Sequence, residues 1–257
     1  MISYFFNAYL LLCSILIISC EKQTVTKFEK ADPILNQTLL LEDSLFIHKG
    51  YPAARIYGQV WMRHNLGANY TADPDQLGLI PHNHGNYYQW GRKTAVATGS
   101  SIQLSINLLN KNLNLPLDTW NSGTEINPIK TIHDPCPPGY RIPTEHDFTE
   151  LLNNTSNSDI GTFTNGEEEY GSAKIFSSKN KAHVRLTFPA QGHFTVYNSG
   201  PYQIKRRGFA GYYHCSSTFD NRLYYLKFFN INKRFVNDQF LESYNLAEAK
   251  NIRCIAE

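Results

Sequence analysis

Residues 10–18, Leu-Leu-Leu-Cys-Ser-Ile-Leu-Ile-Ile, form a nearly unbroken apolar run. It is shorter than the roughly 20 residues of a membrane-spanning helix and matches the core of a secretory signal. The pattern then changes: Glu21 to about Asp43 is polar and lacks a period apart from Leu39-Leu40-Leu41, the composition of a tether. From Leu45 onward apolar and aromatic positions cluster. Ala54-Arg-Ile56-Tyr-Gly-Gln-Val60-Trp61-Met62 places them on both sides of a Gly-Gln turn, as in a hairpin. Asn83 to Arg92 sets Tyr87, Tyr88 and Trp90 between glycines and reads as a core segment, because large rings bury much area. Residues 94–130 are rich in Ser, Thr, Asn, Leu and Gly, with Trp120 near the end. A long irregular insertion of this kind is either functional or mobile.

After Pro143, Thr144-Glu-His-Asp147 has the form of a capping box, and Phe148, Leu151 and Leu152 then share one face of a short helix. The cluster Asn153 to Ser158 reads as the turn that ends it, and Gly161 to Lys181 as loop, with Glu167-Glu168-Glu169 a solvated acidic patch. Strand patterns follow at Val184–Phe188, Phe194–Val196, Gly211–Ser217, Leu223–Phe229, Arg234–Val236 and Ile252–Ile255. Short antiparallel strands, one clear central helix and long irregular loops predict an α+β domain.

Composition changes little in this picture. Residues 1–19 carry no formal charge, so their removal leaves the net charge at +2. That balance gives no reason to expect nucleic acid, which usually demands a clustered basic face. The one compact basic run, Lys205-Arg206-Arg207, reads as a solvated turn.

The ending Ile17-Ile18-Ser19-Cys20 resembles a bacterial lipobox, in which a Cys is acylated and becomes the mature N-terminus. An ordinary cleaved signal or a short anchor is the plainer alternative. Acylation would make a lipid membrane the first partner, through chains worth roughly 0.8 kcal/mol per buried methylene. Glu21 directly after the Cys is compatible with sorting to an outer membrane. The expected organisation is a signal peptide at 1–19, a lipidated N-terminus and tether at 20–44, and one domain at 45–257. Export also sets the redox state. With Cys13 in the signal and Cys20 on lipid, Cys136, Cys215 and Cys254 remain, enough for one bridge and one free thiol. Cys136 lies in a Pro-rich turn and Cys254 in a strand-like terminal segment, and we pair them, leaving Cys215 as a buried small hydrophobe.

Candidate chemistry is sparse. Asn237-Asp238 offers part of a calcium-dependent sugar site without the matching loop triplet, and reads as a turn between strands. His82 and His84, with His64 and His133, invite a metal reading, but no carboxylate or Cys lies at close spacing, and exposed loop histidines are the plainer account. His214 and Cys215, adjacent in a strand, face opposite sides and are poorly placed to share a proton. No catalytic residue, metal or cofactor is called for. Among the aromatics, Tyr197, Tyr202, Tyr212 and Tyr213 read as largely structural. Trp120 is the candidate ligand-binding residue, because packing alone explains an indole less well at the end of a polar insertion.

Several segments together resemble the Fibrobacter succinogenes major paralogous domain family of bacterial surface proteins. They are Val60-Trp61-Met62-Arg-His-Asn65-Leu66, Tyr87-Tyr88-Gln-Trp90-Gly91, Cys136-Pro-Pro-Gly139-Tyr140-Arg141-Ile-Pro143-Thr144, Phe188-Pro-Ala-Gln-Gly192, Gly211 to Ser217 and Ile252-Arg253-Cys254-Ile255, spanning roughly residues 45–257. The resemblance implies a C-type lectin-like fold with its termini close together and a long loop region opposite them. It also implies lipid-anchored members in gut and oral Bacteroidetes-like bacteria, and no activity. The leading expectation is therefore a non-enzymatic cell-surface lipoprotein, an adhesion or binding module for a carbohydrate or protein ligand, shaped by the 94–130 insertion. An accessory or tip subunit of a surface filament is the alternative, and a glycan-active enzyme the third reading. Two carboxylates facing each other across one cleft would favour that third reading.

Overall fold

A computed structural model describes residues 42–76, 81–105, 109, 115–195, 201–219, 222–229 and 248–257. The signal, Cys20, most of the tether, Tyr197, the strand expected at 234–236 and Asn237-Asp238 lie outside the described residues.

Two tight turns set the first sheet. Lys49 and Gly50 (φ 48° and 85°) and Tyr57 and Gly58 (φ 49° and 80°) take the left-handed conformations of type I′ hairpin turns. They join β1 (Ser44–His48), β2 (Tyr51–Ile56) and β3 (Gln59–Met62) into an antiparallel meander, with His48 opposite Tyr51 and Ile56 opposite Gln59. The second turn is thus Tyr57-Gly58, one residue earlier than expected. The end of the chain returns to this sheet: β15 (Ile255–Ala256) lies between β3 and β6 (Tyr140–Arg141), giving the order β1-β2-β3-β15-β6. Cys136 and Cys254 are bonded beside that junction, and Cys215 is free and buried.

The single α-helix among the described residues, α1 (Glu145–Asn154), starts as its sequence predicts. Thr144 Oγ1 accepts from Asp147 N at 3.2 Å, and the Asp147 carboxylate accepts from Thr144 N at 2.7 Å. A cap of this type stabilises by about 1 kcal/mol. Arg141 holds the same carboxylate from the other side at 2.5 and 3.0 Å, while Phe148 and Leu151 are buried.

The segments after α1 differ from expectation. Residues 155–160 form β7 (Thr155–Ile160), which pairs along its length with β8 (Ala173–Ser178), itself paired with β9 (Arg185–Pro189). Neither shows a period of two. β7 exposes Ser156 to Asp159 and is held by backbone pairing, whereas β8 buries Ala173, Lys174, Ile175 and Phe176 in succession, with Lys174 ion-paired to Asp159. A third sheet runs β4 (Tyr88–Gln89), β14 (Ala249–Lys250), β10 (His193–Thr195), β11 (Tyr202–Lys205), β5 (Gln103–Leu104). The long strands β12 (Ala210–Phe219) and β13 (Arg222–Phe229) form a two-stranded ribbon. The described residues are therefore mostly antiparallel sheet with one short α-helix and a 3-10 turn at Pro81–Asn83. No helix among them is long and apolar enough to cross a membrane.

One core cluster joins Trp61, Phe148, Phe176, Phe188, Tyr213 and Phe228; a second gathers Trp90, Trp120, Tyr140, Ile142, Ile252 and the disulfide. Two buried guanidinium groups tie distant segments together. Arg253 donates to Asn65 Oδ1 (2.7 and 3.0 Å), Arg63 O (2.5 Å) and Thr187 O (2.7 Å), with its guanidinium 4.3 Å from the Phe188 ring centre. Arg207 donates to Tyr170 Oη (2.8 Å), Ser101 O (2.7 Å) and Glu167 O. The solvated reading of the Lys205–Arg207 run thus fails at Arg207, which is 1% exposed. Charge density along the sequence carries no sign of a cage of two carbonyls and a phenol supplied by two distant segments.

Candidate functional site: a polar cleft under the insertion

The end of the insertion is an ordered loop. Asn121 Oδ1 accepts from Gly123 N (2.9 Å) and Ile129 N (2.8 Å), and Ser122 N donates to Ile129 O at 3.0 Å. The tip closes through Thr124 N to Asn127 O at 3.0 Å and Asn127 N to Thr124 Oγ1 at 3.1 Å. Gly123 is required by space: a Cβ there would stand 2.2 Å from Asn127 O. Lys130 then clamps the loop to the disulfide region, donating to Asp134 Oδ1 (2.9 Å), Cys136 O (2.6 Å) and Tyr140 O (2.6 Å). Asp134 in turn accepts from Cys136 N (2.7 Å) and Ile142 N (2.8 Å). Burial raises the Asp134 pKa, with the Lys130 charge and these hydrogen bonds opposing.

Trp120 anchors the base of this loop. It is 0% exposed, with its ring 4.5 Å from Trp90 and 5.1 Å from His214. The stacking role expected of Trp120 has no exposed ring face to act through. Its position at the end of a polar insertion marks where the insertion is pinned to the core. Tyr202, Tyr212 and Tyr213 are buried as well.

The opposite wall comes from an irregularity in β12. His214 pairs with Tyr225 and Thr218 with Leu223, so four steps along β12 match two along β13. Such a bulge re-aims side chains out of the ladder. Ser216 N donates to Pro143 O at 2.8 Å. Ser217 Oγ accepts from Glu145 N at 2.6 Å, at the start of α1, and donates to Glu125 Oε2 at 2.6 Å. Thr144 Oγ1 also donates to Glu125 O at 3.0 Å. Between the loop and the bulge lies a cleft of about 490 Å³ lined by Asp118, Asn121, Thr124, Glu125, Ser216 and Thr218. Beside it the loop exposes three isoleucines, Ile126 (69%), Ile129 (58%) and Ile132 (79%).

The cleft carries two carboxylates, Asp118 and Glu125. Glu125 is engaged by Ser217, and Asp118 stands exposed to water. The nearby imidazole serves elsewhere: His214 Nε2 is bonded to Tyr88 O at 2.9 Å, and burial lowers its pKa to about 3. Cys215 is fully buried, and burial pushes its thiol pKa well up, against nucleophilic use.

The metal-reading histidines are dispersed. Contrary to the exposed reading, His64 and His84 are buried, bonded to Ala72 O (2.8 Å) and Tyr170 O (3.3 Å), and only His133 is exposed of these three. Burial holds His64 down at about 4 and His84 at about 3. Among the described residues no three His, Cys, Asp or Glu side chains gather as a metal site.

Sequence reasoning passed over Glu125, Ser217 and the isoleucines. The isoleucines leave a signal, an aliphatic residue every third position in an otherwise polar loop; the Ser217 contact leaves none, because it depends on the bulge. Comparison of the chain with family models, curated proteins and solved structures gives no match.

Proposed function

We propose that the protein is a non-enzymatic, lipid-anchored cell-surface binding module whose domain is C-type lectin-like and akin to the Fibrobacter succinogenes major paralogous domain family. It engages a protein partner through the face formed by residues 117–134. Support for the lectin-like reading comes from topology: the first and last described strands share a sheet, and a disulfide fastens the last strand to residue 136. A long irregular segment leaves that sheet after β3 and returns at β6.

The observation that carries the functional reading is the trio Ile126, Ile129 and Ile132, held exposed on a loop that is itself tied down by Asn121, Lys130 and Trp120. Rigid presentation of aliphatic side chains beside a polar cleft suits a protein surface, since pre-ordering lowers the entropic cost of binding. A sugar ligand would want an exposed aromatic platform, and the indole next to the cleft is buried.

The test uses a photo-crosslinker at residue 127 on intact cells, alongside a glycan array. The proposal expects protein adducts that disappear in an Ile126→Asp/Ile129→Asp variant of unchanged stability. Glycan binding that survives this double substitution would contradict it.

A further inference from the structure

β1 is the outer strand of its sheet, and β2 is its one partner among the described residues. In a two-residue hairpin the residues flanking the turn exchange hydrogen bonds, here His48 and Tyr51. Alternation along the ladder directs the backbone N–H and C=O of Ser44 and Phe46 to β2 also, and those of Leu45 and Ile47 outward. The same two residues carry exposed aliphatic side chains, Leu45 at 40% and Ile47 at 67%. Edge strands are usually defended by Lys, Pro, bulges or a polar face. β7, the edge of the three-stranded sheet, shows such a face in Ser156 to Asp159, whereas Ser-Leu-Phe-Ile-His of β1 has no such defence.

We propose that this edge is an interaction surface for a second copy of the same chain, β1 against β1, antiparallel about a two-fold axis through Phe46. The pattern is self-complementary in that register. Leu45 of each copy stands opposite Ile47 of the other, so the outward amides meet as hydrogen-bonded pairs. The four aliphatic side chains then form one cross-strand cluster. Shifting the register by one residue sets an outward amide against one already bonded to β2. In the same register Lys49, exposed at the turn, stands opposite Asp43 of the second copy and next to Glu42, which pairs with Lys181 of its own chain. A five-residue strand contact buries well under the roughly 1,200 Å² of a stable interface. The association is therefore weak and reversible, and it is promoted where copies are held close together. It is independent of the face formed by residues 117–134.

The test is a Phe46→Cys variant of the full chain under mild oxidation. On the two-fold axis the residue-46 positions form a non-hydrogen-bonded pair with Cα atoms about 4.5 Å apart, within the range a disulfide spans. Peptide mapping should find the 46–46 homodisulfide, formed roughly tenfold faster than the homodisulfide of a Glu168→Cys control on an exposed loop, and suppressed when Ile47→Lys is added. Equal rates at 46 and 168, as expected if another segment or a foreign strand covers the edge, overturn the proposal, as does indifference to Ile47→Lys. Should Phe46→Cys fail to fold, sedimentation equilibrium of the unaltered chain against Ile47→Lys decides. A dimerisation constant weakened by about tenfold or more supports the pairing, and superimposable data refute it.

Discussion

Trp120→Ala separates a pillar from a platform. The indole is fully buried, flanked by Trp90 at 4.5 Å and His214 at 5.1 Å, and it shares a cluster with the disulfide. Truncating a side chain so placed leaves a cavity as well as lost contacts, a cost of about 3–5 kcal/mol. In a domain of this size that lowers the melting temperature by roughly 6–20 °C. Trp120→Phe is the informative companion. The indole Nε1 has no hydrogen-bond partner among the described residues, so Phe gives up no hydrogen bond and, leaving a smaller cavity than Ala, costs on the order of 1–2 kcal/mol. Urea denaturation followed by circular dichroism measures both. If Trp120→Ala cost under about 1 kcal/mol, the ring would not be packed as described and the argument would fail. Partner binding should persist in Trp120→Phe, because the loop remains pinned. Binding lost there at full stability would restore Trp120 as a contact residue.

Removing the bridge through Cys136→Ser/Cys254→Ser should cost up to about 5 kcal/mol in the chain-entropy model, given the sequence separation of 118; urea midpoints with and without reductant measure it. Cys215 should resist alkylation in the folded protein and react only on unfolding, as its burial and raised pKa require; labelling at the rate of a free thiol would place it elsewhere. Acid should destabilise the fold early. Burial lowers His64 to about 4, and His84, His193 and His214 to about 3, from 6.5. Below pH 6.5 the unfolded chain therefore binds more protons than the folded one. Stability is full above that pH and falls as pH drops toward the folded values, by up to about 1.4 kcal/mol per pH unit for each histidine. Equal urea midpoints at pH 7 and pH 5 would refute this.

What the sequence made legible was local. The Thr144–Asp147 capping box and the aromatic run at Tyr87–Trp90 each follow from a few neighbouring residues, and the cysteine pairing from the small number of cysteines left after the leader; the structure bears them out. β7 and β8 were hidden for opposite reasons. One is polar along most of its length and held by backbone bonds; the other is buried on successive positions, so neither alternates. Arg207 and Trp120 were misjudged because burial of a cation or an indole is decided by segments far apart in sequence, here Ser101, Glu167 and Tyr170 for one and Trp90 and His214 for the other. The cleft was illegible for the same reason, since its second wall exists only through the bulge between His214 and Thr218.

The binding face itself is tested most directly by placing aspartate at Ile126 and Ile129, two exposed positions whose replacement should leave the urea midpoint unchanged. Quantitative adhesion of cells displaying each form, with a soluble unaltered domain as competitor, is the measurement. The account predicts that the double variant loses adhesion by tenfold or more, about 1.4 kcal/mol, and no longer competes. Undiminished adhesion by a stably folded double variant would contradict it.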